Sequence, residues 1–188
     1  AVQGKIVEVR GAHHSGKSTL MRLLGQQIRP TRGQVFVPAH LRTLFVPRDV
    51  QFFDQSLTRN LTVGCPHFGG EDVPRLRSIL RDLHLEKLLG IIEEELGSEA
   101  KMSGRNAWSA PLSRTDLEML SLARALLADP DVLVVVNLFA GFDQSRAKDV
   151  ADVLVEHVRN RGLHMPVDGA PHRHPRTVFY SAEDPLPH

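Results

Sequence analysis

The chain has 188 residues, 41% of them hydrophobic, which is enough for one domain that buries a core without disulfide support. Lys and Arg number 23 against 22 Asp and Glu, so no global field recruits nucleic acid or an anionic membrane, and one cysteine, Cys65, excludes an internal disulfide framework and a cysteine-based zinc site. No apolar run reaches the roughly 18 residues of a bilayer span and the first residues carry no targeting pattern, so a membrane role requires a partner or further segments.

Taken in chain order, Ile6 to Val9 reads as a strand and residues 17–27 as a helix. Between them residues 11–18 read Gly-Ala-His-His-Ser-Gly-Lys-Ser, a complete G-x-x-x-x-G-K-[ST] phosphate loop. The glycines let the backbone curl so that its N–H groups face a polyphosphate, with the positive end of a helix dipole behind them. Lys17 is placed to reach the β- and γ-phosphates and the Ser18 hydroxyl to ligate Mg²⁺. The nucleotide-binding candidates are therefore Gly11, His13, His14, Ser15, Gly16, Lys17, Ser18 and Thr19. The two histidines have a plainer reading as solvated loop residues.

Gln34 to Val37 and Leu41 to Val46 read as strands bounded by prolines. From Val73, the residues Leu76, Leu80 and Leu83 recur at helical spacing with Pro74 in the first turn, and a short second helix runs through Leu88. Residues 91–111 lack periodicity and read as loop-rich. Ser113 caps a helix to about Ala128, with Met119, Leu122 and Leu126 on one face. Val132 to Val136 has the composition of a strand buried on both faces. Asp143 is an N-cap candidate for a helix over 144–159, and Thr177 to Ser181 reads as the last strand. Trp108 and Phe139 read as buried anchors, and the Pro/His-rich stretch 163–175, with His164, His172 and His174, as a flexible insertion in preference to a metal site. The alternation predicts one α/β domain of the P-loop NTPase type, a mostly parallel sheet flanked by helices, with a helical insertion at about 70–112.

Four later segments narrow the class. Residues 120–133, Leu-Ser-Leu-Ala-Arg-Ala-Leu-Leu-Ala-Asp-Pro-Asp-Val-Leu, resemble the helix that precedes the Walker B strand in ABC-transporter ATPase domains. Phe45-Val46-Pro47-Arg48-Asp49 with Phe53 to Leu61 resembles the exporter-type stretch V-P-Q-x-x-x-x-F-x-x-[ST]-[LIV]-x-x-N. Ala140-Gly141-Phe142-Asp143 is similar to the family's D-loop, and Thr177 to Tyr180 to the strand before its switch histidine. The resemblance covers nearly the whole chain. It implies ATP or ADP with Mg²⁺ as ligands, a second nucleotide-binding domain as partner, Ser113 and Asp143 at that interface, and transmembrane domains, in the same longer chain, that hold the segment at the cytoplasmic face of a membrane. The family's first two strands lie upstream of residue 1, and a start ten residues before the phosphate loop suggests an excerpt of a longer polypeptide.

The departures from the family pattern concern hydrolysis. Leu112-Ser113-Arg114-Thr115-Asp116 stands where L-S-G-G-Q belongs, so both glycines that let backbone N–H groups approach a partner's γ-phosphate are replaced. Val136 occupies the position of the Asp that orients the Mg²⁺ shell, and Asn137 that of the Glu general base. Arg48 replaces the Gln that senses metal and water, and Glu183 falls at the switch position. The resemblance thus implies a domain that binds nucleotide with Mg²⁺ held weakly and hydrolyses ATP feebly or not at all. A scaffolding module that no longer uses nucleotide and a small P-loop kinase stand as alternatives, the latter needing an acidic Mg²⁺ partner on a strand.

Overall fold

A computed structural model describes residues 3–97 and 108–182, and the chain divides into two compact units, Ala1–Arg48 with Asp129–His188 and Asp49–Ala128. In order, the elements are β1 Ile6–Val9, α1 Lys17–Leu24, β2 Thr43–Val46, α2 Leu57–Thr62, α3 Val73–Asp82, α4 Leu89–Gly97, α5 Arg114–Leu127, β3 Val132–Val135, α6 Gln144–Arg159 and β4 Thr177–Ser181, with 3-10 turns at Gly70–Asp72, Glu86–Leu88 and Val167–His172.

The first unit holds a four-stranded sheet in the order β1-β4-β3-β2, parallel throughout, with Ile6 and Leu133 both facing Val178 and Phe45 facing Val134. Leu133, Val134 and Val178 are fully buried, as a sheet covered on both faces requires. Helix α1 packs on β3 and β4, and α6 on β1 and β4. The β1-to-β2 and β3-to-β4 crossovers run in opposite directions across the sheet, so right-handed connections put α1 and α6 on opposite faces.

The amino ends of three strands are clamped by charge. Arg176, just before β4, is 6% exposed; its guanidinium donates to Asp129 at 2.6 and 3.2 Å and to Asp131. Asp131, just before β3, also accepts from the Arg42 amide beside β2 at 2.8 Å, and its own amide donates to the Arg42 carbonyl at 2.9 Å.

Several sequence expectations are corrected. Helix α1 stops at Leu24, not at 27, because Gly25 lies against β2: a Cβ there would sit 2.5 Å from the Phe45 ring, and Gln26 then turns with φ 57°. Gln34 to Val37 forms no strand; Phe36 is 83% exposed, and a turn from Pro38 to Leu41, closed by a 3.0 Å bond, redirects the chain before β2 starts at Thr43. The stretch 163–175 is tied down by two arginines. Arg173 donates to the carbonyls of Asn160, Arg161 and Pro166 at 3.2, 2.8 and 2.9 Å, and Arg161 to those of Ala170, Pro171 and Arg173.

In the second unit, which extends on both sides of the expected 70–112 insertion, α5 packs against α2 and α3, and α2 against α4. Two elements there were not foreseen. Helix α2 begins after a loop organised by the fully buried Asn60, whose amide accepts from the Phe53 N–H and donates to the carbonyls of Phe53, Gln55 and Ser56 at 3.0–3.1 Å. Its first N–H groups, on Leu57 and Thr58, donate to the Glu95 carboxylate at 2.9 and 2.7 Å. That carboxylate comes from α4, which occupies residues expected to be loop and is anchored by the buried Ile92. Trp108 is buried as anticipated, with its indole N–H on the Gln55 carbonyl at 3.0 Å; residues 98–107 of the expected loop lie outside the described residues.

The clamp gives the first prediction. Arg176→Met leaves two carboxylates without their buried cation and lowers the stability of the fold by about 3–5 kcal/mol, read as a drop in the urea midpoint. Adding Asp129→Asn and Asp131→Asn to that variant recovers part of the loss.

Candidate functional site

All four strands point their carboxyl ends the same way, and a cleft of about 310 Å³ opens there. Its wall is made by His13 to Thr19 after β1, Arg48 after β2, Val136 and Asn137 after β3, and Ser181 with Ala182 at the end of β4.

The phosphate loop has the shape its sequence demands. Gly16 takes φ 90° immediately before α1, a left-handed conformation natural to glycine, and His14 takes φ 62°. The Ser15 amide closes onto the Ala12 carbonyl at 3.1 Å, while a Cβ on Gly11 would lie 2.6 Å from the Ser15 hydroxyl. Lys17 Nζ donates to the carbonyls of Gly11 and Ala12 at 2.5 and 2.9 Å, so the ammonium spans the loop on the carbonyl side. Helix α1 has no acidic residue in its first turn and no side-chain cap, which leaves its N-terminal N–H groups and dipole for an anion. The His13 and His14 rings are exposed and meet edge to face at 4.1 Å.

Beyond the loop the described wall carries one cation, Arg48, beside Val136, Asn137, Ser181 and Ala182. The Val136 amide bonds to the Val46 carbonyl at 3.1 Å, and Asn137, with φ 58°, donates its amide to Ser181 Oγ at 3.0 Å. Ser181 was missed from the sequence: a serine at the end of a strand carries no motif signal. Glu8 on β1 is not in the cleft wall. Its carboxylate pairs with Arg10 at 2.6 Å and lies beside Tyr180, whose phenol is pushed up to about 12 by burial and by that carboxylate.

The cleft brings together His13 to Thr19, Arg48, Val136 and Asn137, while Gly11 is not among its lining residues. Glu183 lies outside the described residues. The two candidate interface residues both cap helices. Asp143 Oδ1 accepts from the Arg146 amide at 2.8 Å at the start of α6. Ser113 belongs to the helical unit and starts α5 with a reciprocal capping box: its hydroxyl accepts from the Asp116 amide at 3.1 Å, and Asp116 Oδ2 accepts from the Ser113 amide and hydroxyl and from Lys87 Nζ at 2.6 Å.

The family model for ABC transporters matches residues 1–135 of this chain. The chain belongs to the ABC transporter family. It is similar to CydC, the glutathione/L-cysteine transport system ATP-binding/permease protein of Escherichia coli strain K12, at 28% identity over 86% of this chain and 28% of CydC. It is similar also to ProV, the glycine betaine/proline betaine transport system ATP-binding protein of Salmonella typhimurium, at 31% identity over 82% of this chain and 39% of ProV. The chain therefore spans well under half the length of these curated relatives. Among solved structures, cbiO1 from Clostridium perfringens, part of the ABC transporter complex cbiONQ, superposes with a TM-score of 0.62 over 97% of this chain and 68% of that one, at 18% identity, a likeness of fold. The chain is an ABC transporter nucleotide-binding domain.

The cleft of this nucleotide-binding domain fits a polyphosphate better than it fits the metal. Mg²⁺ takes an octahedral set of oxygens, with one or two carboxylates beside the phosphates. Among the described residues the wall offers neutral oxygens, from Ser15, Ser18, Thr19, Asn137 and Ser181, and no carboxylate, and Val136 puts hydrocarbon at the carboxyl end of β3. The described donor set thus lacks the carboxylate that a Mg²⁺ site usually includes.

The α5 capping box generates a pH prediction. Burial raises the Asp116 pKa, but Lys87 and the Ser113 hydroxyl and amide outweigh it and hold the carboxyl below its ordinary value of 3.8. A carboxylate depressed in the folded state stabilises above its unfolded value and loses that contribution as pH falls through the folded value. Urea midpoints measured from pH 6 downward therefore fall below about pH 4 more steeply for the parent than for Asp116→Asn, which is less stable near neutrality.

Proposed function

We propose that this nucleotide-binding domain holds ATP or ADP in the phosphate-loop cleft and hydrolyses it very slowly or not at all, as the regulatory half of a transporter's paired ATPase sites. The observation that carries the reading is the composition of one cleft: Gly16, Lys17 and the α1 N-terminus keep the cradle, while the facing positions are Val136 and Asn137. The cradle acts on the bound ground state, and the replaced groups would act on the transition state, so binding and turnover separate. Loss of a general base alone costs about 10²- to 10⁴-fold in rate, before the metal is considered.

The signature positions support the same reading. Arg114 and Thr115 place side chains where the family has glycines, and Arg114 opens α5 with its guanidinium on Glu118 at 3.1 Å. Such a helix start closes poorly on a partner's nucleotide, so the partner is a second, catalytically more complete nucleotide-binding domain that supplies most of the turnover. No helix among the described residues is long and apolar enough to cross a membrane, and attachment to the cytoplasmic face runs through transmembrane partner segments.

Titration of the chain with a fluorescent ATP analogue tests the reading. Saturable binding is expected, weakened about 100-fold (about 2.8 kcal/mol) by Lys17→Ala, together with phosphate release indistinguishable from that of the Lys17→Ala protein. Brisk hydrolysis by the parent chain sinks the second half of the proposal. Binding indifferent to Lys17 sinks the first and favours a scaffolding role.

A further inference from the structure

The charge inventory of the cleft points to a nucleotide site that does without a divalent cation. A bound polyphosphate concentrates negative charge, which family members offset jointly with the loop lysine and Mg²⁺. Here the described wall contributes Lys17 and Arg48 as permanent cations, His13 and His14 as titratable ones, and no carboxylate. Arg48 leaves the carboxyl end of β2, the strand next to β3 in the sheet, so it borders the same wall as Val136. A guanidinium stays charged at every physiological pH and forks onto phosphate oxygens through two parallel N–H donors.

We propose that Arg48 takes over the charge-neutralising task of the metal, so that this cleft binds metal-free nucleoside polyphosphate. The proposal rests on the reading that nucleotide occupies the phosphate-loop cleft. Two physical effects act in the same direction. Because no carboxylate lines the cleft among the described residues, a Mg²⁺ carried in on the nucleotide exchanges its waters there for neutral oxygens alone. Its charge would also enter a cleft that already holds Arg48 and Lys17, and like charges at close range repel.

The test is titration of the full chain with a fluorescent ATP analogue in excess EDTA and in millimolar Mg²⁺. The expected result is an affinity in EDTA equal to or tighter than that in Mg²⁺. Arg48→Gln should weaken binding in EDTA about tenfold and bind better with Mg²⁺ than without it, whereas Arg48→Lys, which keeps the charge and loses the fork, should fall between the two. Arg48 is exposed, so these variants should melt at the parent temperature. A parent affinity at least tenfold tighter in Mg²⁺ overturns the proposal. If that metal dependence vanishes in Glu183→Gln/Asp184→Asn, one of these two carboxylates serves the metal, and the proposal is overturned by a named group. Absence of binding in both buffers instead overturns the nucleotide reading on which the proposal stands.

Discussion

The sheet depends on a buried arginine. Arg176 binds Asp129 and Asp131, and Asp131 in turn holds the backbone of Arg42, so β2, β3 and β4 are gathered at their amino ends by one small charged network. Ion pairs removed from water are costly to assemble and stabilise only when their hydrogen bonds are well satisfied, which the bidentate contact to Asp129 provides. Because every strand runs parallel, a clamp at one end leaves the other free to present loops. Those loops make the cleft.

What the sequence revealed tracks how locally each feature is determined. The phosphate loop was readable because its glycines, lysine and serine answer to the geometry of one short turn. Strand β3 and helices α5 and α6 were readable because their caps and apolar spacing lie within the segment itself. Helix α4 was not, since three successive glutamates obscure its periodicity; its role appears only when Glu95 is found on the first amides of α2. Gln34 to Val37 has strand composition but gains no strand partner, and composition cannot report a missing neighbour. Ser181 became part of the site through the Asn137 amide, a contact between residues far apart in the chain.

The cleft also separates what its side chains supply from what its backbone supplies. Val136 and Asn137 occupy a turn whose backbone is tied to β2 and β4 by amide hydrogen bonds, and those bonds do not depend on which side chain is attached. Catalytic side chains at such positions are replaceable at small structural expense. The loop is different, since Gly16 at φ 90° and the close approach of Gly11 to Ser15 tie its glycines to conformation itself. Selection on the fold and selection on phosphate binding therefore retain the same residues, whereas selection on turnover acts on others.

The strand order has a consequence for how the molecule is made. Among the described strands β1 pairs with β4, Ile6 meeting Val178, so β1 waits for a partner that is synthesised much later. At ribosomal speeds of about 5–20 residues per second, that interval is on the order of ten seconds or more. During it the polyphosphate cradle, hung from the end of β1, lacks the support of β4. The motif most legible in the written sequence thus gains part of its support only late in the growing chain.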